Sequence, residues 1–378
     1  NYFLAPTVVG GQGPAGTNGR AYDYGQEFFG NLTPEGGLEG WDGTNRYNYA
    51  PVNHFLRPIE QWSVGAFAEY ELNEHFTPYF ETMFASNTSR AQIAESGTFF
   101  AEAYILDLDD FPAPFQAALI DLYGSDYDEY GVYVGKRNVE GGPRSDNTSH
   151  DSFRIVTGLK GDINDTWSYD VSYLYANTRS TSTYVNDFFA PNITKNIDPD
   201  TADILYDVFT YQGVTSEQAN ALTGVGILNG NSSTEVINGF VTGDLFALPT
   251  ASDPIKVVVG YEWREETFER LSDTVFEEGQ LLGQGGPTPS LIGSYNVTEF
   301  FGEANVPLLD GLALDLAYRY SDYSTVGGQD TYRAGLDWQP IDLVRFRVGY
   351  NRAVRAPNAA ELFAVNNLGL WAGVDPCG

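Results

Sequence analysis

The segment 295–353 alternates in polarity with a period of two, four times in succession. The expected strands are 295–306, 312–324, 331–338 and 344–353. In the second, Leu314, Leu316, Tyr318 and Tyr320 share one side, while Asp315, Arg319 and Ser321 share the other. In the third, Tyr332, Ala334, Leu336 and Trp338 oppose Thr331, Arg333 and Asp337. In the fourth, Phe346, Val348 and Tyr350 oppose Arg345, Arg347 and Asn351. Side chains along a strand point to opposite faces in turn, so each strand has an apolar face and a charged one. Two environments produce this pattern. In a water-soluble sheet the apolar face lies on a core. In a membrane barrel it meets lipid, and the charged face lines a wet interior.

Connections and tryptophans discriminate between the two. Upstream, alternation marks 62–72 with 76–84, 153–163 with 167–179, and 235–248 with 255–269 as hairpins, which brings the count to ten strands. Brief turns lie at Asn73-Glu74-His75, Asn164-Asp165, Pro249 to Pro254, Asp310-Gly311 and Gln339 to Asp342. Long excursions, 87–150, 181–231 and 271–294, fall between the hairpins. A sandwich has no reason to gather its insertions at one end, whereas an outer-membrane barrel has short turns on one side and long loops on the other. Trp167 and Trp338 sit beside short turns, while Trp62 and Trp263 lie further along their strands. A spacing of about nine residues, tilted roughly 45°, rises about 21 Å, close to the height of an apolar band. The long loops are expected to carry short helices at 115–123, 201–209 and 216–222.

Charge and composition exclude other classes. Acidic residues number 51 against 20 basic ones, a net charge of −31. A nucleic-acid binder needs clustered Lys and Arg, so no nucleic-acid partner is expected. No run of apolar residues is long enough for a membrane-spanning helix. Asn1-Tyr2-Phe3 has neither a basic region nor an apolar core, so the N-terminus is not read as a signal peptide. Cys377 is the single cysteine, so an internal disulfide framework is excluded. Gly11 to Gly16 has dinucleotide-fingerprint spacing, but Pro14 interrupts it and Asn18-Gly19 stands where a helix should begin; it is read as a loop. Asp107, Asp109 and Asp110, and Asp126, Asp128 and Glu129, are carboxylate groups of the kind that hold calcium, but they lack EF-hand spacing and are read as solvated acidic loop. No metal or other cofactor is expected, since His54, His75 and His150 are scattered.

The run Gly349-Tyr-Asn-Arg-Ala-Val-Arg-Ala-Pro-Asn-Ala-Ala-Glu-Leu-Phe363 resembles the barrel signature of TonB-dependent outer-membrane receptors. Gly335 to Pro340 and Lys136 to Gly142 resemble the same family. The resemblance implies a barrel of about twenty-two strands with a plug inside it. It also implies location in the outer membrane of a Gram-negative cell, contact with outer-membrane lipid, and energy delivered by TonB through the plug. This sequence shows neither plug nor TonB box. The fold class expected is therefore all-β, a partial antiparallel transmembrane β-barrel of ten strands. Residues 1–58 read as a loop-rich N-terminal part, 59–354 as hairpins and outer loops, and 355–378 as an outer loop whose Cys377 resembles one that pairs downstream.

A transporter needs no catalytic residues. Parity places Glu69, Glu71, Glu81, Glu262, Arg264, Glu299, Glu303, Arg319, Arg333, Arg345 and Arg347 on the interior face, where mixed signs suggest ion-pair ladders. Arg352, Arg355, Pro357, Asn358, Glu361 and Phe363 carry the signature and read as architectural. Trp41, Tyr47, Tyr49, Phe188, Phe189 and Trp371 are the loop aromatics placed to contact a small-molecule ligand, since aromatic faces suit sugar rings and flat chelates. The leading function is TonB-energised uptake of a scarce nutrient such as a ferric siderophore or an oligosaccharide. Two alternatives stand beside it. One is a ten-stranded outer-membrane protease using His150 and Asp151; the other is a secreted β-sheet adhesin or carbohydrate-binding module.

Overall fold

The computed structural model describes residues 2–8, 30–40, 47–124 and 129–363. The chain opens with β1 (Tyr2–Val8), β2 (Gly30–Leu32) and β3 (Leu38–Gly40). The hairpin of β4 (Ile59–Glu69) and β5 (Thr77–Glu95) follows, then β6 (Gly97–Asp107), α1 (Ala113–Tyr123) and β7 (Glu129–Arg137). β8 (Pro143–Asn164) and β9 (Trp167–Phe188) lead to α2 (Ala190–Asn196) and α3 (Ser216–Ala221). After them come β10 (Thr223–Ala247), β11 (Pro254–Ser272), α4 (Thr274–Glu277), β12 (Leu291–Leu309) and β13 (Leu312–Tyr323). β14 (Gly327–Ile341), β15 (Val344–Arg352) and α5 (Ala359–Phe363) complete the described chain.

The ten expected strands form one antiparallel meander in the order β4-β5-β8-β9-β10-β11-β12-β13-β14-β15. Its ends, β4 and β15, do not pair with each other, so the sheet is an open arc. The short turns are built by local chemistry. The Asn73 side chain accepts the His75 N–H at 2.9 Å, and the Asn164 side chain accepts the N–H groups of Thr166 and Trp167 at 3.0 and 3.1 Å. These are Asx turns, in which a short polar side chain imitates the backbone. Gly311 holds φ +83° in the two-residue link of β12 to β13, a conformation that glycine adopts without strain.

The strands run further than polarity alone indicates. β8 and β9 have 22 residues each and β10 has 25, against about 9–11 needed to cross a membrane. The excursion expected at 181–231 therefore shrinks to 189–222. The reason is that both faces of the extensions are polar, as in Thr178 to Ser182, so period-two alternation fades while the ladder bonds continue. The helix expected at 201–209 is absent; that stretch is a series of turns, and α2 precedes it. The Asn196 side chain accepts the N–H groups of Asp203 and Ile204, both at 3.1 Å, and so satisfies donors that a helix would have needed. The helices expected at 115–123 and 216–222 are present as α1 and α3.

The excursion read as solvated acidic loop is instead largely folded. β6 and β7 join β1, β2 and β3 in a second sheet, ordered β3-β2-β1-β7-β6. Tyr130, Val132 and Val134 of β7 alternate into a core with Tyr104, Leu106, Phe115 and Leu119. The second excursion covers the same core with Ile193, Tyr206, Val208, Phe209 and Leu222. Carboxylates on the surface of this unit hid the apolar period beneath them. Gly11 to Gly16, Asp126, Asp128, Trp41, Trp371 and Cys377 lie outside the described residues.

Candidate functional site

The pairing register sorts the ten-stranded wall into two faces. Ala304, Leu316, Ala334 and Tyr350 stand directly across from one another along four neighbouring strands, as do Tyr261, Phe300 and Tyr320. Residues opposite in register share a face. Val64, Val171, Ile237, Val259, Phe300, Phe346 and Val348 on this face are 44–71% exposed, and among the described residues no layer packs over them. Leaving so large an apolar area in water is unfavourable by about 25 cal/mol per Å², so the face requires an apolar medium.

The opposite face carries ion pairs. Lys160 meets Glu69 at 2.8 Å, Arg154 meets Glu81 at 3.0 Å, and Arg319 meets Glu299 at 2.9 Å. Arg264 lies between Glu262 and Glu266 at 3.4 and 3.2 Å, and Arg345 and Arg347 converge on Asp337. Of the interior residues expected from parity, those on strands share this face, among them Glu303 and Arg333, which flank Ala317. Glu71 instead lies in the turn after β4. Glu299 is 3% exposed and also accepts the Ser321 hydroxyl, so its charge is held on two sides. Phe67 is an exception, an exposed apolar ring on the charged face opposite Glu81.

Aromatic rings mark the upper edge of the apolar band. Trp62 packs on Phe84 with ring centroids 5.0 Å apart, and Phe153 packs on Tyr175 at 5.7 Å. Trp338 packs on Phe346 at 5.6 Å beside the short turns. From Phe153 to Ile163 the outward face of β8 is Phe, Ile, Thr, Leu, Gly and Ile; before Phe153 it is Ser145, Asn147, Ser149 and Asp151. Ten residues tilted at roughly 45° rise about 23 Å, the height of an outer-membrane apolar band.

Above the band, three loops are tied to one another at Asp187. This carboxylate is fully buried at the end of β9. It accepts the Ser96 hydroxyl, the Phe188 N–H at 3.0 Å and the Gly283 N–H at 2.9 Å, with Arg144 at 3.7 Å. Burial pushes its pKa up, against the pull of Ser96 and Arg144. Nearby, Lys136 is 1% exposed and paired with Glu140 at 2.8 Å; burial lowers its pKa and Glu140 opposes that shift. Burial also raises the Tyr206 hydroxyl, which donates to Asn138 at 3.0 Å. The third loop folds onto the charged-side face of β10: Phe276 and Leu281 occupy the space left by Gly226 and pack with Tyr184.

The family model for the TonB-dependent receptor-like β-barrel matches residues 120–373. The chain belongs to the TonB-dependent receptor family. Receptors and transporters of the Gram-negative outer membrane make up this family, which is not one of enzymes. Among solved structures, the chain is similar to the siderophore receptor PirA from Acinetobacter baumannii, with 14% identity, TM-score 0.45, and coverage of 80% of this chain and 34% of that one. It is also similar to the ferric-catecholate import receptor Fiu from Escherichia coli K12, with 12% identity, TM-score 0.41, and coverage of 80% and 46%. A third is the RagAB peptide transporter, with 10% identity, TM-score 0.47, and coverage of 78% and 32%. The chain thus spans 34% of the length of the PirA chain and less than half of the other two. No curated protein matches it.

The receptor signature has a compact geometry after β15. Arg355 donates two hydrogen bonds to Glu361, at 2.7 and 2.8 Å. Asn358 and Glu361 cap α5 reciprocally: the Asn358 N–H reaches Glu361 at 3.0 Å, and the Glu361 N–H reaches the Asn358 side chain at 2.8 Å. The Arg355 guanidinium, then Asn358, hold the Glu361 carboxyl below its usual value. Phe363 lies over Gly293 of β12, where any larger residue would meet its ring. Pro357 precedes the helix, half-buried, and Arg352 is exposed at the end of β15, opposite Tyr332.

The loop aromatics scatter. Tyr47 donates to Glu95 at 2.7 Å, and Tyr49 is 54% exposed. Phe188 is 1% exposed within the outer core, beside Tyr206, and offers no ring face to a ligand. Phe189 is half-buried and bridges to Leu281. His150 and Asp151 are adjacent on β8, so they point to opposite faces; His150 stands between Asn87 and Ser180, Asp151 between Ser86 and Arg179. The Asp/His arrangement needed by a protease does not form from this pair. Asp110 groups with Asp198 and Asp200 rather than with its sequence neighbours. Sequence reading missed the Asp187 junction, because its partners Ser96, Arg144 and Gly283 lie in three different segments. The one available signal was an acidic residue followed by the apolar Phe188-Phe189 at a strand end.

Proposed function

We propose that the whole receptor carrying this chain takes up a scarce nutrient, a ferric siderophore or an oligosaccharide, across the outer membrane with energy from TonB. One observation carries this reading: ten strands turn a bare apolar face one way and a face of ion pairs the other. A wall of that kind separates lipid from a wet interior. The loops tied at Asp187 stand over the long-loop end, where an external ligand arrives. TonB acts through a plug housed against the ion-paired face, and Arg355, Asn358, Glu361 and Phe363 brace the top of that face. Exposed Tyr49 is the described loop aromatic best placed to touch the ligand. The net charge of −31 favours neutral or cationic ligands over strongly anionic ones by simple repulsion.

The test is accumulation of labelled ferric siderophores and oligosaccharides in cells with and without the receptor, each with and without TonB. Uptake of one class that requires both supports the reading. Equal accumulation in all four strains, across both classes, removes it.

A further inference from the structure

On the outward face of the wall, just above the aromatic edge, lies a cavity of about 500 Å³. Two register rows line it: Thr88, Ser149 and Thr181 in one, Arg90, Asn147 and Thr183 in the other. Glu60, opposite Thr88, closes one side. Thr88 lies four residues beyond Phe84, and Ser149 four before Phe153, so by alternation the cavity shares the face of those rings. It therefore opens away from the ion-paired interior, and a solute bound here is on the wrong side of the wall for uptake.

Height narrows the occupant. Four residues along a tilted strand rise about 9 Å. With the Phe84 and Phe153 rings at the edge of the hydrocarbon, the lower row stands at about the outer limit of phospholipid headgroups, which extend about 5–8 Å beyond the core, and the upper row stands above it, within reach of a larger saccharide headgroup. Its lining is chemically specific too. The hydroxyls of Thr88, Ser149, Thr181 and Thr183 and the Asn147 amide each donate and accept, as sugar hydroxyls do. One cation, Arg90, and one anion, Glu60, leave the lining near neutral, whereas a bare phosphate calls for clustered Arg or Lys. Below it, past the row of Ser86, Asp151 and Arg179, the tilted pair of Trp62 and Phe84 and the pair of Phe153 and Tyr175 offer an apolar platform. A polar slot standing one polar row above an apolar platform matches a ligand with a sugar at one end and hydrocarbon at the other.

We propose that this cavity seats the saccharide headgroup of an outer-leaflet glycolipid. The assignment rests on the reading that the apolar face meets lipid. Bound there, the headgroup bridges β5, β8 and β9 at the level where the strands leave the bilayer and both of their faces become polar.

The experiment uses the whole receptor, extracted from its own membrane in mild detergent, with bound lipid measured by native mass spectrometry. Ser149→Trp with Thr181→Trp fills the cavity from half-buried positions and should lower retained glycolipid at least fivefold. Glu269→Trp, on the same outward face at β11, should retain the wild-type amount. A photocrosslinking residue at Thr88 of the otherwise intact receptor should label glycolipid and not phospholipid, which keeps the test open if the double variant misfolds. Unchanged retention in a folded double variant, or crosslinking to phospholipid alone, overturns the proposal. So does competition by the free, delipidated saccharide as effective as by the intact glycolipid, because the site would then be one for soluble sugar. Failure of the wild-type receptor to insert into liposomes would sink the lipid reading itself; insertion with indifferent glycolipid binding sinks this assignment alone.

Discussion

Asp187 and Gly283, 96 residues apart in sequence, are joined by a hydrogen bond of 2.9 Å from the Gly283 N–H to the buried carboxylate. Through Ser96 and Phe188 the same carboxylate also holds the first and second outer loops. Removing it takes the carboxylate from Arg144 and the acceptor from the Gly283 N–H in a buried place, while the Phe188 N–H keeps only the Ser96 hydroxyl at 2.8 Å, a loss of about 3–5 kcal/mol. Asp187→Ala is therefore expected to open the outer unit locally. Amide exchange at Gly283 and Phe188 should accelerate by about a hundredfold or more, with amides of the ten-stranded wall unchanged.

The signature cap should respond to acid. Arg355 and Asn358 hold the Glu361 carboxyl below its ordinary value of 4.5. A depressed acid contributes its stability fully above that ordinary value and loses it as pH falls through the lowered one. Protection of the Leu362 N–H, which donates to Asn358 at 2.9 Å, is expected to be flat from neutral pH down to the ordinary carboxylate value and to decline below it. Glu361→Gln should abolish that dependence; an unchanged profile in the variant would assign the effect elsewhere.

Phe363 and Gly293 form a ring-over-glycine contact that admits no side chain at the glycine. Gly293→Val should displace α5 from the wall, a loss of about 1–3 kcal/mol of local stability from overpacking. Adding Phe363→Ala makes room and should relieve the clash without restoring the contact. A double-mutant cycle on protease resistance after β15 reads the coupling; strict additivity would mean that the two do not meet.

Val258 and Val259 are neighbours on opposite faces of β11. Val259 is 58% exposed among apolar residues, while Val258 stands across from Glu303. Val259→Arg should lower the stability of the whole receptor in lipid by about 2–4 kcal/mol. Val258→Arg, beside the Glu303 carboxylate of the neighbouring strand on the wet interior face, should change it by less than about 1 kcal/mol. Urea titration in liposomes separates them, and equal losses would contradict the two-faced wall.

Each end strand of the arc, β4 and β15, leaves one edge without a strand partner among the described residues. In lipid every such backbone group costs several kcal/mol, of order 2–7. The isolated 378-residue chain is expected not to insert stably. A heat-modifiable, protease-resistant band from this chain alone in liposomes would show otherwise.

Alternation by itself determined the ten strands, their two faces and their turns, because a strand with lipid on one face and water on the other must change polarity at every residue. It located Glu81, Glu299, Arg319 and Arg345 on one face with no coordinates needed, and the run from Arg352 to Phe363 was readable as a family signature. Where that constraint lapsed, so did legibility. Beyond the bilayer both faces of β8, β9 and β10 are wet, their period blurs, and the true strand ends at Phe188 and Thr223 depend on ladder bonds alone. The outer unit, with Phe188 buried beside Tyr206 and Asp187 gripping three loops, was decided by tertiary structure. Its core gathers short apolar pieces from distant segments, and burial of that kind is a property of what packs together, not of any one stretch of chain.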